Sequence, residues 1–234
     1  MIKFFWIYIV GAGLLACSSV TTINFKSQEV KVENLNSKHS SIDSIISPYR
    51  NELNKVMNEV LATANIDFLV ARPCGSMNNW FADALLNSQM ESKKFDAPVM
   101  CLFNTGGIRS SINKGDVTLG DMYKVMPFDN TIVYVKMPIS SISSIENYLN
   151  ISGGEPISGA VLKNGKLIFN ESLNSSSYFW VVTSDYLFNG GDKMSFFNQN
   201  LSSEITDVLV RNVLIEEVKK QKVLLQDTLT RMSF

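Results

Sequence analysis

Residues 98–109 read Pro-Val-Met-Cys-Leu-Phe-Asn-Thr-Gly-Gly-Ile-Arg, an apolar run that leads directly into a polar segment with two glycines. The apolar part, Pro98 to Phe103, predicts a buried strand that ends at Asn104. The glycines let the backbone turn tightly and approach a ligand. Arg109 offers a planar fork of donors for hydroxyl or phosphate oxygens. An ordinary strand–loop corner, in which Asn104 caps the turn and Arg109 pairs with an acid, also fits this stretch.

A second motif, Pro-Phe-Asp-Asn, occupies residues 127–130. The proline stiffens the approach to Phe128. An aromatic ring on a rigid loop can stack on a nucleobase, and Asn130 can hydrogen-bond the edge of that base. Taken alone, the motif also fits a buried phenylalanine after a turn.

A third motif, Tyr-Leu-Phe-Asn-Gly-Gly-Asp, occupies residues 186–192. It begins with the aromatic Tyr186 and ends with Asp192 after two glycines. A carboxylate on such a loop can accept hydrogen bonds from both hydroxyls of a ribose, as acidic residues do in dinucleotide sites. A Gly-Gly turn with a solvated aspartate is the simpler interpretation of this motif alone.

The composition predicts one folded domain. The chain has 234 residues, of which 45% are hydrophobic, and a net charge of -1. That content is enough for a sizeable core, and the near-neutral charge argues against a nucleic-acid polymer as partner. Periodicity predicts alternating helices and strands, with a hairpin at Asn164-Gly165. We therefore expect an α/β (α+β) single domain with a mixed β-sheet flanked by helices. The main predicted elements are a helix with an apolar face from Tyr49 to Leu61, a strand at 67–71, a helix at 79–89, a strand at 98–103 and strands at 131–137 and 178–183.

The N-terminus predicts export and a lipid anchor. Lys3 precedes an apolar run, Phe4 to Leu15, that is shorter than the roughly 20 residues of a spanning helix. The run ends in Leu-Leu-Ala-Cys-Ser-Ser, which resembles a bacterial lipobox with cleavage before Cys17 and a lipid on its thiol. We expect a lipoprotein signal peptide at residues 1–16, a lipid-anchored tether at 17–40 and the folded domain at 41–234. An ordinary secretory signal or an uncleaved anchor are the alternatives. The lipoprotein interpretation places the protein outside the cytoplasm, periplasmic or at the cell surface, with the outer membrane as its expected anchor.

In this order, the three motifs resemble the C-terminal substrate-binding domain of the bacterial and animal 5′-nucleotidases. The resemblance covers roughly Ser41 to the C-terminus. In that family two aromatic residues sandwich the base, and the asparagine and arginine of the first motif bind the nucleoside and help hold the phosphate. The asparagine of the second motif contacts the base, and the aspartate of the third motif binds the sugar. The positions matched to these roles are Asn104, Arg109, Phe128, Asn130, Tyr186 and Asp192.

An upstream segment extends the resemblance and departs from it. Residues 72–84 are similar to the family's Glu-Ser-x-Leu-Gly-Asn-x-x-x-Asp-Ala segment. Cys74-Gly75 stands where Glu-Ser is usual, and Asn78 stands where glycine is usual. Arg72 aligns only approximately with a family arginine near this segment.

The resemblance also implies a catalytic partner. Complete 5′-nucleotidases carry an N-terminal metallophosphatase domain whose two metals are held by Asp, Asn and several His ligands. This sequence has one histidine, His39, in a serine-rich segment. We therefore expect no metal and no catalytic residue on this chain, and divalent metals only on a separate metallophosphatase protein.

Three functional hypotheses follow: the recognition half of a split 5′-nucleotidase, a non-catalytic lipoprotein that binds nucleosides or nucleotides, and a structural lipoprotein that has lost its ligand site.

Cys74 and Cys101 are either a disulfide or two separate thiols.

Overall fold

The computed structural model describes residues 41–173, 176–227 and 229–234. Its α-helices are α1 (Ser41–Met57), α2 (Ser76–Ser92), α3 (Leu119–Val125), α4 (Ile142–Ser152), α5 (Asp185–Phe188) and α6 (Val210–Gln221). Its strands are β1 (Val60–Ala64), β2 (Val99–Leu102), β3 (Gly115–Thr118), β4 (Thr131–Pro138), β5 (Ile157–Ser158), β6 (Ala160–Lys163), β7 (Lys166–Phe169), β8 (Tyr178–Ser184), β9 (Ser202–Leu209) and β10 (Val223–Leu224). Short 3₁₀ turns lie at Thr105–Gly107, Ile139–Ser141, Gly191–Lys193 and Ser195–Gln199.

The centre of the domain is a five-stranded mixed sheet in the order β5-β2-β8-β4-β9. Strands β2 and β8 run parallel, and the other neighbours are antiparallel. All four residues of β2 are buried, which explains why this strand is continuously apolar in the sequence. Because β2 and β8 run in the same direction, the loops that follow them emerge at one edge of the sheet.

Helices flank this sheet. Helix α2 packs on β2, β5 and β8, and it also contacts α6. Its buried residues include polar Asn78, Asn79 and Gln89 beside apolar Trp80 and Phe81, so it is covered on more than one face. A second sheet, β10-β1-β3, lies beside α6, and the β6–β7 hairpin packs near α4. The hairpin turn has Asn164 at φ 51° and Gly165 at φ 70°, the left-handed pair that a two-residue turn of this type requires.

The predicted fold class, a mixed α/β domain with sheets flanked by helices, is confirmed. The predicted strand at 67–71 is wrong. Phe68 is fully buried, but it makes only an isolated bridge to Ile112, and the strand of this region is β1, which includes Leu61. The first helix correspondingly ends at Met57. Within residues 67–71 only Phe68 is buried, and Leu69 is 54% exposed. A short apolar run in the sequence does not by itself distinguish a buried strand from such a segment.

The described part of the chain includes the compact unit Ile45–Phe234. The predicted signal peptide at 1–16, the lipidation site Cys17 and the tether at 17–40 lie outside the described residues. Within the described ranges, no helix combines the length and the apolar character needed to cross a bilayer.

Candidate functional site

The three motifs converge on one cavity of about 480 Å³. This volume falls in the range of about 300–1,000 Å³ that is typical of small-molecule sites. Apolar side chains contribute part of the wall, including Phe81, Phe103 and Met126. All six predicted ligand-binding residues line the cavity: Asn104, Arg109, Phe128, Asn130, Tyr186 and Asp192.

The first loop presents a fixed asparagine. Asn104 follows β2 closely and is only 7% exposed, and its Nδ2 donates a hydrogen bond to Oδ2 of Asp192 at 2.5 Å. Gly107 is required beside it, because a Cβ at that position would lie 2.5 Å from Oδ1 of Asn104. Arg109 is exposed, and its Nη1 donates to the carbonyl of Gly106 at 3.2 Å, so most of its donors remain available.

The third loop holds Asp192 in an unusual conformation. Its φ is 50° and its ψ is 28°, in the left-handed region that non-glycine residues seldom adopt. Gly190 precedes it at φ 88°, and Gly191 allows close packing, since a Cβ there would lie 2.5 Å from the Tyr186 ring. The hydroxyl of Tyr186 donates to Oδ1 of Asp192 at 2.9 Å. The carboxylate is therefore anchored at both oxygens, and each oxygen retains a lone pair for a ligand hydroxyl.

The Tyr186–Asp192 hydrogen bond also has an electrostatic effect. The hydrogen bond to Asp192 and the negative charge of that carboxylate raise the pKa of Tyr186 above its usual value. The phenol therefore remains protonated, and a donor to Asp192, to a higher pH than an ordinary tyrosine.

Two aromatic rings of the cavity are free to meet a ligand. Phe128 is 42% exposed and Tyr186 is 48% exposed. Phe128 lies in the loop before β4, and Tyr186 lies in α5, directly after β8. Over the described residues, neither ring packs against another aromatic ring, unlike the ring pairs of the core such as Phe81–Phe103. Exposed aromatic faces on two walls of a cavity suit a flat ligand between them.

Arg211, which the motif analysis missed, supports the loop of Phe128. It lies in the first turn of α6 and is 7% exposed. Its Nη1 donates to the carbonyls of Met126 and Phe128 at 3.3 and 3.2 Å, and its Nη2 pairs with Asp129 at 2.5 Å. The guanidinium also lies over the Tyr123 ring at 4.4 Å. Arg211 lies more than 80 residues from these partners in the sequence, so no local sequence pattern indicates the contact.

Asp185 is a second missed residue. It begins α5, directly after β8, and its Oδ1 accepts a hydrogen bond from Nδ2 of Asn130 at 2.9 Å. Asn130 is thereby tied to the loop of Tyr186 as well as lining the cavity. An aspartate directly before the Tyr-x-x-x-Gly-Gly-Asp motif is the only sequence signal that marks it.

A larger cavity of about 740 Å³ shares Asp192 with the first. Arg72 faces this second cavity and not the cavity of the three motifs. Its Nη2 forms an ion pair with buried Glu155 at 2.8 Å, and Glu155 also accepts from the amide of Thr105 at 2.6 Å. Arg72 is thus linked to the first loop through Glu155.

The described residues assemble neither a metal-binding cluster nor a disulfide. Across the described ranges, no group of three or more His, Cys, Asp or Glu side chains is arranged to hold a metal ion. Cys74 and Cys101 are separate free thiols, which decides between the two alternatives left by the sequence. Burial raises the pKa of the Cys101 thiol well above its usual value, so this cysteine is an inert core residue.

Comparison with known proteins shows which domains this chain resembles. Residues 71–184 match the family model described as the NAD nucleotidase C-terminal domain. The chain is 25% identical over 202 residues to the trifunctional nucleotide phosphoesterase protein YfkN of Bacillus subtilis, covering 75% of this chain and 14% of that protein. It is 28% identical over 185 residues to the 5′-nucleotidase of Vibrio parahaemolyticus, covering 73% of this chain and 32% of that enzyme.

Solved structures agree on the fold. The 5′-nucleotidase precursor of Thermus thermophilus aligns with a TM-score of 0.64 at 21% identity, covering 81% of this chain and 42% of that one. The NAD nucleotidase of Haemophilus influenzae aligns with a TM-score of 0.57 at 18% identity, covering 80% of this chain and 40% of that one. The fold is that of a nucleotidase C-terminal domain. The family model and the curated relatives show that the domain is similar to the C-terminal domains of 5′-nucleotidases and NAD nucleotidases.

Proposed function

We propose that this chain is the nucleoside- or nucleotide-recognition half of a split 5′-nucleotidase, which hydrolyses phosphomonoesters in nucleotide catabolism. The observation that carries the proposal is the convergence of all six motif residues on one cavity. The chain spans 14% and 32% of the two curated relatives above, so the activity of a whole nucleotidase is proposed here for an assembly with a second chain.

The base lies between Phe128 and Tyr186. Both rings are about half-exposed within the cavity, and stacking on an aromatic ring is worth roughly 1–3 kcal/mol per base. Because stacking needs only a flat π-face, this part of the site accepts purines and pyrimidines alike. Asn130 provides the polar contact to the edge of the base.

The ribose lies against Asp192. Its carboxylate is already oriented by Asn104 and Tyr186. Ligand binding therefore immobilises few additional side-chain rotamers, which favours affinity. Ribose hydroxyls donate to the remaining lone pairs of that carboxylate. Arg109, which is exposed and holds only one hydrogen bond to Gly106, is free to turn its donors to a phosphate oxygen.

Hydrolysis itself is assigned to a separate metallophosphatase. A two-metal centre activates water and neutralises the phosphate, and it needs several histidine and carboxylate ligands. The only histidine in the 234-residue sequence is His39. Divalent metals therefore belong to the partner, which docks so that its metals face the bound phosphate. We further propose that lipidation at Cys17 holds the protein on a bacterial membrane outside the cytoplasm, in the periplasm or at the cell surface.

A second candidate function is ligand capture without catalysis by an extracytoplasmic lipoprotein. The anchoring of Asp192 within the isolated domain favours it, because a preorganised site can bind without a partner.

Two measurements on the full chain separate these functions. Calorimetric titration with adenosine, AMP and UMP measures binding by the chain alone. A phosphate-release assay on AMP with Mn²⁺, Co²⁺ or Zn²⁺ is run with and without any short metallophosphatase whose gene lies beside that of this chain. Release that requires both proteins supports the split enzyme. Tight binding by the chain alone, with no gain in phosphate release on mixing, supports the binding protein.

A further inference from the structure

A single carboxylate oxygen connects the two loops that carry the aromatic rings. Oδ1 of Asp185 accepts from Nδ2 of Asn130 at 2.9 Å and from the amide of Thr131 at 3.2 Å. The same oxygen accepts from the amide of Tyr186 at 2.8 Å. Asn130 and Thr131 lie where the loop after Phe128 enters β4, and Tyr186 lies in α5 directly after β8.

The sheet explains why one side chain reaches both loops. Strands β4 and β8 are antiparallel neighbours, with Ile132 opposite Ser184. The residues just before β4 therefore lie beside the residues just after β8, where Asp185 begins α5. Hydrogen bonds to an ionised carboxylate are stronger than neutral ones, so this contact fixes the spacing between the two walls.

The same contact decides which way the Asn130 amide faces. An ionised carboxylate accepts hydrogen bonds and donates none, so the NH₂ group of Asn130 must face Asp185. The orientation of an asparagine amide is normally inferred from its partners, and here the partner permits one choice. Among the described residues, no donor reaches Oδ1 of Asn130. Because Asn130 lines the cavity, its carbonyl oxygen is the atom left for a ligand.

We propose that Asp185 is a positioning and specificity-determining residue, which orients Asn130 as an acceptor so that the site favours bases carrying an N–H donor. Bases that carry an amino group are therefore the ligand class that an acceptor at Asn130 selects. The inference rests on the proposed function, because it requires the base to lie in the cavity between Phe128 and Tyr186.

Ligands that differ by one amino group test whether Asn130 acts as a hydrogen-bond acceptor for the base. The full chain is titrated calorimetrically with purine riboside, adenosine and 2-aminopurine riboside, which share a ring system and a ribose. One added hydrogen bond predicts that adenosine or 2-aminopurine riboside binds about tenfold more tightly than purine riboside. Equal affinities for all three ligands overturn the inference and leave nucleoside binding intact. Absence of binding by all three overturns the proposed function itself.

Variants test the role of Asp185. Asp185→Ala leaves the Asn130 amide free to rotate. The affinity of the amino-bearing nucleosides is then expected to exceed that of purine riboside by less than about threefold. Asp185→Asn keeps an acceptor oxygen facing the amides of Thr131 and Tyr186, so it is expected to preserve the advantage. Loss of selectivity in Asp185→Asn, or its retention in Asp185→Ala, contradicts the inference.

Two controls accompany these variants. Asp67 provides a matched carboxylate, since its Oδ1 accepts from the amide of Lys114 at 2.7 Å outside either cavity described above. Asp67→Ala should leave selectivity unchanged, and a change in that variant would contradict the assignment to Asp185. Circular dichroism melts report folding of each protein. If Asp185→Ala does not fold, Asn130→Ala takes its place, and a retained amino-group advantage there equally overturns the inference.

Discussion

At the scale of single residues, the cavity is organised by contacts among its own members. Asp192 is oriented by Asn104 and Tyr186, two residues that were predicted as separate ligand contacts. The three motifs, taken together and in order, predicted through their resemblance to the 5′-nucleotidases a set of side chains that line one cavity. They did not predict that these side chains bond to one another, since local sequence says nothing about the relative orientation of two loops. Arg211 and Asp185, which hold the loops, were missed for the same reason.

The Tyr186–Asp192 hydrogen bond predicts a pH dependence. The pKa of Tyr186 is raised in the folded protein, so the contribution of this bond is present below the unfolded value of about 10 and is lost as the pH rises through the higher folded pKa. Replacing Asp192 by Asn removes the negative charge and should lower the pKa of Tyr186 toward its usual value. Spectrophotometric titration of tyrosine ionisation, with Tyr186→Phe used to identify the signal, measures the shift. Coincident Tyr186 titration curves for the parent and Asp192→Asn proteins would contradict the assigned cause.

At the scale of elements, the site follows from the direction of three strands. Parallel β2 and β8 end at the same edge of the sheet, and antiparallel β4 begins there. Each strand contributes one motif at that edge. The sequence predicted β2, α2 and the β6–β7 hairpin, because buried runs, helical spacing and Asn-Gly turns are local signals. It did not predict the parallel pairing of strands separated by about 80 residues, nor the strand β1, whose partners β3 and β10 are distant in the chain.

Two adjacent glycines of the first loop make a matched pair of tests. A Cβ on Gly107 would lie 2.5 Å from Asn104, whereas a Cβ on Gly106 meets its nearest atoms at 3.7 Å. Overpacking costs typically 1–3 kcal/mol, so Gly107→Ala should lower the melting temperature by roughly 3–10 °C. Gly106→Ala should change it by less than about 2 °C. Thermal melts followed by circular dichroism measure both, and equal melting temperatures for the two variants would refute the close packing of the Asn104 side chain on Gly107.

At the scale of the whole molecule, Arg231 links the C-terminal segment to α2 and β5 through ion pairs and a hydrogen bond. This side chain is largely buried and pairs with Asp83 and Asp227, and it donates to the carbonyl of Ile157 at 2.9 Å. The sequence marked Asp83 as an acid among apolar neighbours but did not identify its partner, which lies 148 residues away. The contacts therefore link α2, β5 and the last residues of the chain.

Removing Arg231 should destabilise the domain without touching the ligand cavity. Arg231→Ala leaves two carboxylates without their partner, and breaking such a largely buried pair costs about 3 kcal/mol. Urea unfolding of the variant measures the change in free energy. The exposed Lys219–Glu216 pair is the control, since Lys219→Ala should cost less than about 1 kcal/mol. An Arg231→Ala protein as stable as Lys219→Ala would show that the C-terminal segment is not fastened by this residue.

The central claim is that the cavity formed by the three motifs binds a nucleoside. Calorimetric titration of the full chain with adenosine tests it directly, with Phe128→Ala and with Phe234→Ala as an exposed aromatic control outside this cavity. Loss of one stacking face predicts that Phe128→Ala weakens binding by about 5- to 150-fold, while Phe234→Ala binds like the parent. Identical affinities for the parent and Phe128→Ala, or no adenosine binding by the parent, would contradict the account.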